Sequence, residues 1–207
     1  MSTEKLMKRI VTPDGIDYEQ DELDVIKQIH NSTYGISSDV LLQFASVFAA
    51  LIHDAGHTGL TNAELVQMGA PVAAAYRNQS VAEQNSVDIA WTLLMEPDFD
   101  DLRHFICPTE IEMERFRQLV VNAVMATDIA DKNLKEAREK RWNEAFSNTN
   151  RNDQVAMNRK ATIIFDYIIQ ASDIAHTHAT LAGVPKVQQA PVRRAVHCVG
   201  QWTHGWW

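Results

Sequence analysis

The stretch "SSDVLLQFASVFAALIH", residues 37–53, sets Val40, Leu41, Phe44, Val47, Phe48, Leu51 and Ile52 at helical spacing. A stripe this broad is expected to be buried almost all round, in a helix opened by Ser37 or Ser38. Strand signals are nearly absent from the rest of the chain. Helix starts are frequent instead: "TNAE" at Thr61 to Glu64, "SVAE" at Ser80 to Glu83 and "TEIE" at Thr109 to Glu112 all have capping-box spacing. The helices they begin carry Val87, Ile89, Leu93 and Leu94, then Ile111, Phe116, Leu119, Val120 and Val124. "SNTNRNDQ", residues 147–154, reads as an exposed polar loop, and "NRKATIIFDYIIQASDIAH" resumes a strongly apolar helix. The expectation is a compact all-α domain of about six or seven helices, within ordinary helix lengths. With 207 residues, 45% of them hydrophobic, and only 8 Gly and 6 Pro, the chain is long enough for one such domain and poor in turns.

A net charge of −8 excludes a basic face for a phosphate backbone, so nucleic acid is not an expected partner. Two cysteines, Cys107 and Cys198, make neither a disulfide framework nor a thiolate cluster, which suits a reducing cytosol. The first residues, "MSTEKLMKRIVTPDG", have no apolar signal-peptide core. Nothing approaches the roughly 18 apolar residues of a membrane span. The expected location is cytoplasmic, or the cytosolic part of a membrane-bound parent.

The chemistry concentrates where the first apolar helix ends. "FAALIHDAGHTGLTNAEL" closes its apolar run with His53 and Asp54, and His57 follows one turn later. Adjacent residues point about 100° apart in a regular helix. At a frayed helix end both can turn toward one point, as a nitrogen and an oxygen ligand of one cation. "FDYIIQASDIAHTH" is expected to offer a matching break, placing Asp173 after Ile168 and Ile169. An imidazole and carboxylate set suits zinc, iron or manganese, and a shared carboxylate can bridge to magnesium. A single buried His or Asp is more often a hydrogen-bonded core group or a cap. The whole pattern favours a metal.

"ALIHDAGHTGLTN", "SVAEQNSVDIAWTLL", "RQLVVNAVMATD" and "NRKATIIFDYIIQASDIAHT" resemble successive blocks of the catalytic domain of class I 3′,5′-cyclic nucleotide phosphodiesterases, the HD-type metal phosphohydrolases. The likeness is collinear from about Leu6 to Thr177. It implies hydrolysis of cAMP or cGMP to the 5′-monophosphate in signal transduction, with two divalent ions as cofactors: a zinc-like first site and a magnesium or manganese second site. It further implies that His53, Asp54 and Asp173 bind the first metal, with Asp54 bridging to the second. By the same resemblance His57 faces the attacking hydroxide and the phosphate, as the catalytic histidine. The resemblance also implies that Glu83 and Thr127 hold waters of the second metal, with Asp128 close behind. Two cations about 3.5–4 Å apart can bind the oxygens of a phosphodiester and deprotonate a bridging water, and the leaving oxygen then needs a proton donor.

The sequence departs from that family at both ends. A histidine pair in a pattern like HNxxHA, implied to supply the proton donor and one metal ligand, has no match. His30-Asn31 has Tyr34 where the second histidine belongs, so His30 receives no role. From Ala179 the text stops resembling the family helix. Its codons slid by one base can spell M-Q-H-W-Q-V-Y-R-K-C-N-K-R-L-F-A-E-L-Y, close to the expected helix. Residues 1–178 are therefore expected to form a partial catalytic domain, incomplete at both ends, and residues 179–207 a frameshifted, poorly ordered tail holding Cys198, Trp202, Trp206 and Trp207. Weak or undetectable hydrolysis is the expected consequence. Two other readings stand beside it: a catalytically impaired metal-binding regulatory or interaction module, and an HD phosphohydrolase of another nucleotide.

Overall fold

The computed structural model describes residues 16, 19, 21–147 and 154–180, with side chains from 155 to 174 in the last segment. Among the described residues there are nine α-helices and no strand: α1 Glu22–Ser32, α2 Val40–Ile52, α3 Asn62–Gln67, α4 Pro71–Ala75, α5 Val81–Leu94, α6 Asp100–Ile106, α7 Glu110–Ala126, α8 Lys132–Ser147 and α9 Gln154–Thr180. Short 3₁₀ turns at Ile36–Ser38 and Pro97–Phe99 join α1 to α2 and α5 to α6. The all-α expectation holds. The helix count of six or seven was too low, because α4 and α6 are short and α8 lacks an apolar stripe. In α8 the buried residues are Arg138 and Ala145.

At the centre α2 packs on α7, flanked by α5 and α9. Ala45, Ser46 and Ala49 on α2 are fully buried, as is Ala123 on α7. These small side chains let the two backbones approach, while Leu42, Phe116, Val120, Val124, Phe165 and Ile169 fill the space around them. Phe116 anchors an aromatic cluster, with ring centroids 5.4 Å from Phe48, 5.7 Å from Phe44 and 6.2 Å from Trp91. A smaller apolar cluster of Leu65, Ala73 and Val81 holds the short helices α3 and α4 against α5.

The helix α2 is not buried all round. Val40 and Leu51 are 75% and 80% exposed, and Val47 is exposed as well. Burial follows Leu42, Ala45, Ser46, Ala49 and Ile52, a single face at helical spacing. The cap of α2 is also not a serine. Asp39 accepts the hydrogen bond of Leu42 N and pairs with Arg115 of α7, which a serine could not do as an anion.

Two of the three expected capping boxes form, at Thr61–Glu64 and Thr109–Glu112. The third does not. Ser80 sits in the left-handed region with φ 38° and makes no side-chain cap. Its hydroxyl donates to Asp128 Oδ2 instead, at 2.7 Å. The expected break before Asp173 is absent too, since α9 runs unbroken through that residue. The helix continues past it to Thr180, so its backbone groups there keep their intrahelical partners. The loop expected at 147–154 lies outside the described residues except for its ends, which belong to α8 and α9. The expected tail lies outside them except for Ala179 and Thr180, which continue α9. Among the described residues no helix is long and apolar enough to cross a membrane.

Candidate metal centre

At the C-terminus of α2, His53 N still bonds Ala49 O at 3.0 Å, and the chain then turns through Ala55 N to Ile52 O and His57 N to Asp54 O. Gly56 makes the turn possible. Its φ is +71°, and a Cβ there would meet Ile89 Cδ1 at 2.5 Å. The left-handed backbone disfavours a side chain here, and a Cβ would also require the Ile89 methyl to move aside. Ser86 of α5 fastens the turn by donating to Ala55 O at 3.0 Å.

His53 Nδ1 lies 2.9 Å from Ala50 O, so this nitrogen carries a proton and donates to the carbonyl. That leaves Nε2 facing inward. It is buried and makes no hydrogen bond, yet it lies 3.4 Å from Asp54 Oδ2 and 3.4 Å from Asp173 Oδ1. The contact with Asp173 is the main cause of a raised pKa, about 9, with Ala50 O and Asp54 contributing against the opposing effect of burial. At 3.4 Å these contacts are long for hydrogen bonds. The attraction is chiefly one of charge.

As they stand, no three or more His, Cys, Asp or Glu side chains among the described residues are arranged to hold a metal ion. The residues nevertheless fit one. A buried imidazole nitrogen without a hydrogen bond, held in one tautomer by a carbonyl, is the usual setting of a metal-ligating histidine. Two ligands sharing a tetrahedral ion with bonds of about 2.1 Å stand about 3.4 Å apart, which matches both contacts of Nε2. Asp54 is 65% exposed, so its side chain has room to adjust, while Asp173 is 26% exposed.

A second acidic group lies where α3, α5 and the end of α7 meet. Asn62 Nδ2 donates to Glu83 Oε2 at 2.9 Å and to Asp128 Oδ2 at 3.4 Å. Its Oδ1 accepts from Ala82 N at 2.9 Å, in the first turn of α5. Asn62 therefore does the capping that Ser80 leaves undone. Burial raises the pKa of Glu83, and the Asn62 hydrogen bond and nearby His57 oppose that effect. Asp128 is buried, and its Oδ1 accepts from Ala130 N and Asp131 N at 3.1 and 3.0 Å. Thr127 caps α7 and donates its hydroxyl to Val124 O at 2.6 Å.

His57 is exposed, and its Nδ1 accepts from Gly59 N at 3.0 Å, so the neutral ring carries its proton on Nε2. His30 Nδ1 lies 2.6 Å from Ser38 Oγ, and its ring packs on Gly35. The sequence reading missed Asn62 as a site residue, because "TNAE" announced a cap and gave no sign of a contact with Glu83, 21 positions further on. It also missed Arg138 and Gln170, which hold the carbonyls of Asp128 and Ala126. Only the three-dimensional arrangement reveals them.

Residues 26–190 match the family described as 3′5′-cyclic nucleotide phosphodiesterase. The chain is 34% identical over 112 residues to the human cGMP-inhibited 3′,5′-cyclic phosphodiesterase 3A, covering 49% of this chain and 10% of that protein. It is 33% identical over 86 residues to a Caenorhabditis elegans probable 3′,5′-cyclic-AMP phosphodiesterase, covering 42% of this chain and 12% of that protein. These alignments span only about a tenth of either relative's length. A crystal structure of the phosphodiesterase domain of the RhoPDE fusion protein from the choanoflagellate Salpingoeca rosetta superposes with a TM-score of 0.52 at 18% identity. It covers 83% of this chain and 60% of that one, and it supports the fold alone. The chain belongs to the 3′5′-cyclic nucleotide phosphodiesterase family.

Proposed function

We propose that this chain carries part of a metal-dependent site for hydrolysing a 3′,5′-cyclic nucleotide, cAMP or cGMP, to its 5′-monophosphate. The observation that carries the reading is the buried His53 Nε2, unbonded and approached by two carboxylates at 3.4 Å. In this reading His53, Asp54 and Asp173 would hold the first ion, and Asp54 would also serve a second. Bound divalent ions supply Lewis-acid charge and a nucleophilic water at neutral pH.

The chain's own residues set up the rest. Ala50 O holds the proton on His53 Nδ1, so Nε2 is the nitrogen that faces the carboxylates and that would exchange its proton for an ion. Gly59 N leaves the His57 proton on the outward Nε2, where it can hydrogen-bond a phosphoryl oxygen. Asn62 keeps one Glu83 oxygen occupied, leaving the other for ordered water on the second ion. Thr127 and Asp128 line the same side of the site. This reading takes residues 1–178 as the catalytic portion and 179–207 as the aberrant tail, in a cytoplasmic protein or the cytosolic part of a membrane-bound one.

His30 is engaged with Ser38, and no other residue takes the role of proton donor in the reading. Loss of a general acid lowers rates by on the order of 10²–10⁴, so hydrolysis by this chain is expected to be weak or undetectable. The same fact favours a second reading, a metal-binding regulatory module without turnover. Metal titration paired with a cAMP and cGMP hydrolysis assay separates them. Metal uptake with slow 5′-monophosphate formation supports the enzyme, metal uptake without product supports the module, and hydrolysis of other nucleotide phosphates alone supports a different phosphohydrolase.

A further inference from the structure

The helix α7 ends at Ala126-Thr127-Asp128 without a glycine, so its last carbonyls need partners from elsewhere. Each finds one. Val124 O accepts from Thr127 N and Oγ1 at 3.0 and 2.6 Å. Asp128 O accepts from Arg138 Nη2 of α8 at 3.2 Å, and that arginine is itself buried. Ala126 O accepts from Gln170 Nε2 of α9 at 2.8 Å.

Gln170 stands three positions before Asp173, on the same face of α9. One helix face thus reaches α2 through Asp173 and His53, and the end of α7 through Gln170 and Ala126. The residue after Ala126 opens the Thr127–Asp128 turn, where Asp128 is tied to Ser80 and Asn62. Sliding α9 by one turn along α7 would break the Gln170 bond and carry Asp173 away from His53 together. Close packing of Phe165, Ile168 and Ile169 opposes such a slip, and the directed hydrogen bond between two fixed points adds a restraint at the level of Asp173 itself.

We propose that Gln170 is a positioning residue whose bond to Ala126 O fixes Asp173 in register with the Thr127–Asp128 turn, so that the His53–Asp173 pair and that turn keep a fixed spacing. This rests on the metal-site reading above.

The test uses the full chain and three variants: Gln170→Leu, which keeps bulk but cannot donate, Gln170→Met as a second apolar replacement should the first not fold, and Ile111→Ala as an exposed control on α7. Two signals are read, Co²⁺ affinity by titration and the NMR position of the Asn62 side-chain amide. The expected result is a folded Gln170 variant with Co²⁺ affinity lowered about 10–100-fold and a displaced Asn62 amide, while Ile111→Ala matches the parent in both. A Gln170 variant whose Co²⁺ curve and Asn62 amide both superpose on the parent overturns the proposal. If the parent takes up no Co²⁺ at all, the metal reading fails, and the amide decides alone: displaced in the Gln170 variant supports the register role, unmoved overturns it.

Discussion

Asn62 Nδ2 lies 2.9 Å from Glu83 Oε2, across 21 residues of sequence, while Asn62 Oδ1 caps Ala82 N two atoms away on the same amide. One side chain therefore fixes both the start of α5 and the acid that rides on its first turn. It also reaches Asp128. Three elements meet at a single amide, so the geometry of Glu83 is a consequence of Asn62.

Replacing Asn62 with Leu keeps the volume and removes every hydrogen bond. It leaves Ala82 N without its acceptor and Glu83 and Asp128 without a shared donor, a loss expected to cost about 1–3 kcal/mol. Chemical denaturation checks this. A loss below about 0.5 kcal/mol would show that water replaces the amide without penalty.

Gly56→Ala is expected to destabilise the fold by about 1–3 kcal/mol, because it puts a Cβ on a left-handed residue and drives it into Ile89 Cδ1. Adding Ile89→Val to shorten the opposing side chain should recover the steric part and leave the backbone part. The double variant is therefore expected to melt between Gly56→Ala and the parent. If it melts no higher than Gly56→Ala, the contact with Ile89 contributes nothing.

Asp166 on α9 is buried, one of its oxygens has no hydrogen bond, and burial raises its pKa to about 7 despite Arg141 and Arg138 nearby. A carboxyl whose folded pKa exceeds its unfolded value favours the fold when protonated, so stability falls as pH rises from about 4 toward 7. Asp166→Asn removes that penalty. The gap between variant and parent is expected to be small below about pH 4 and to widen to a few degrees by pH 8. A lower melting point at pH 8 would mean that the ion pairs with the arginines outweigh burial.

How much of this was legible in the sequence depends on whether a residue's neighbour is local. The helices α2, α5, α7 and α9 announce themselves through apolar spacing, and Thr61 and Thr109 through caps that close within three residues. His53 and Asp54 stand out because a charge-bearing pair interrupts an apolar run. The exposed stripe of α2 was not legible, because spacing reports apolar faces and not which of them meets a partner. Ser80 misled for a similar reason: a serine cap and a serine bonded to Asp128, 48 residues away, look alike in one dimension. Asp173 was read as the end of a helix, whereas it lies within one that continues.

His53 gives the metal-free protein a pH signature. Its folded pKa of about 9 lies above the usual 6.5, so its contribution is fully present below pH 6.5 and is lost as pH rises through about 9. Thermal melts from pH 6.5 to 9.5 in a chelator are expected to fall. In Asp173→Asn the decline should be shallower, since the main source of the raised pKa is gone. Parallel curves for the two proteins would show that Asp173 does not govern His53.

Binding of Co²⁺ or Zn²⁺ by the parent, by His53→Ala and by Asp173→Asn tests the central claim most directly. The prediction is measurable uptake by the parent that strengthens from pH 6 to 8, as the metal displaces the His53 proton, and affinity at least about tenfold weaker in each variant. No uptake by the parent, or equal affinity in all three folded proteins, would contradict it.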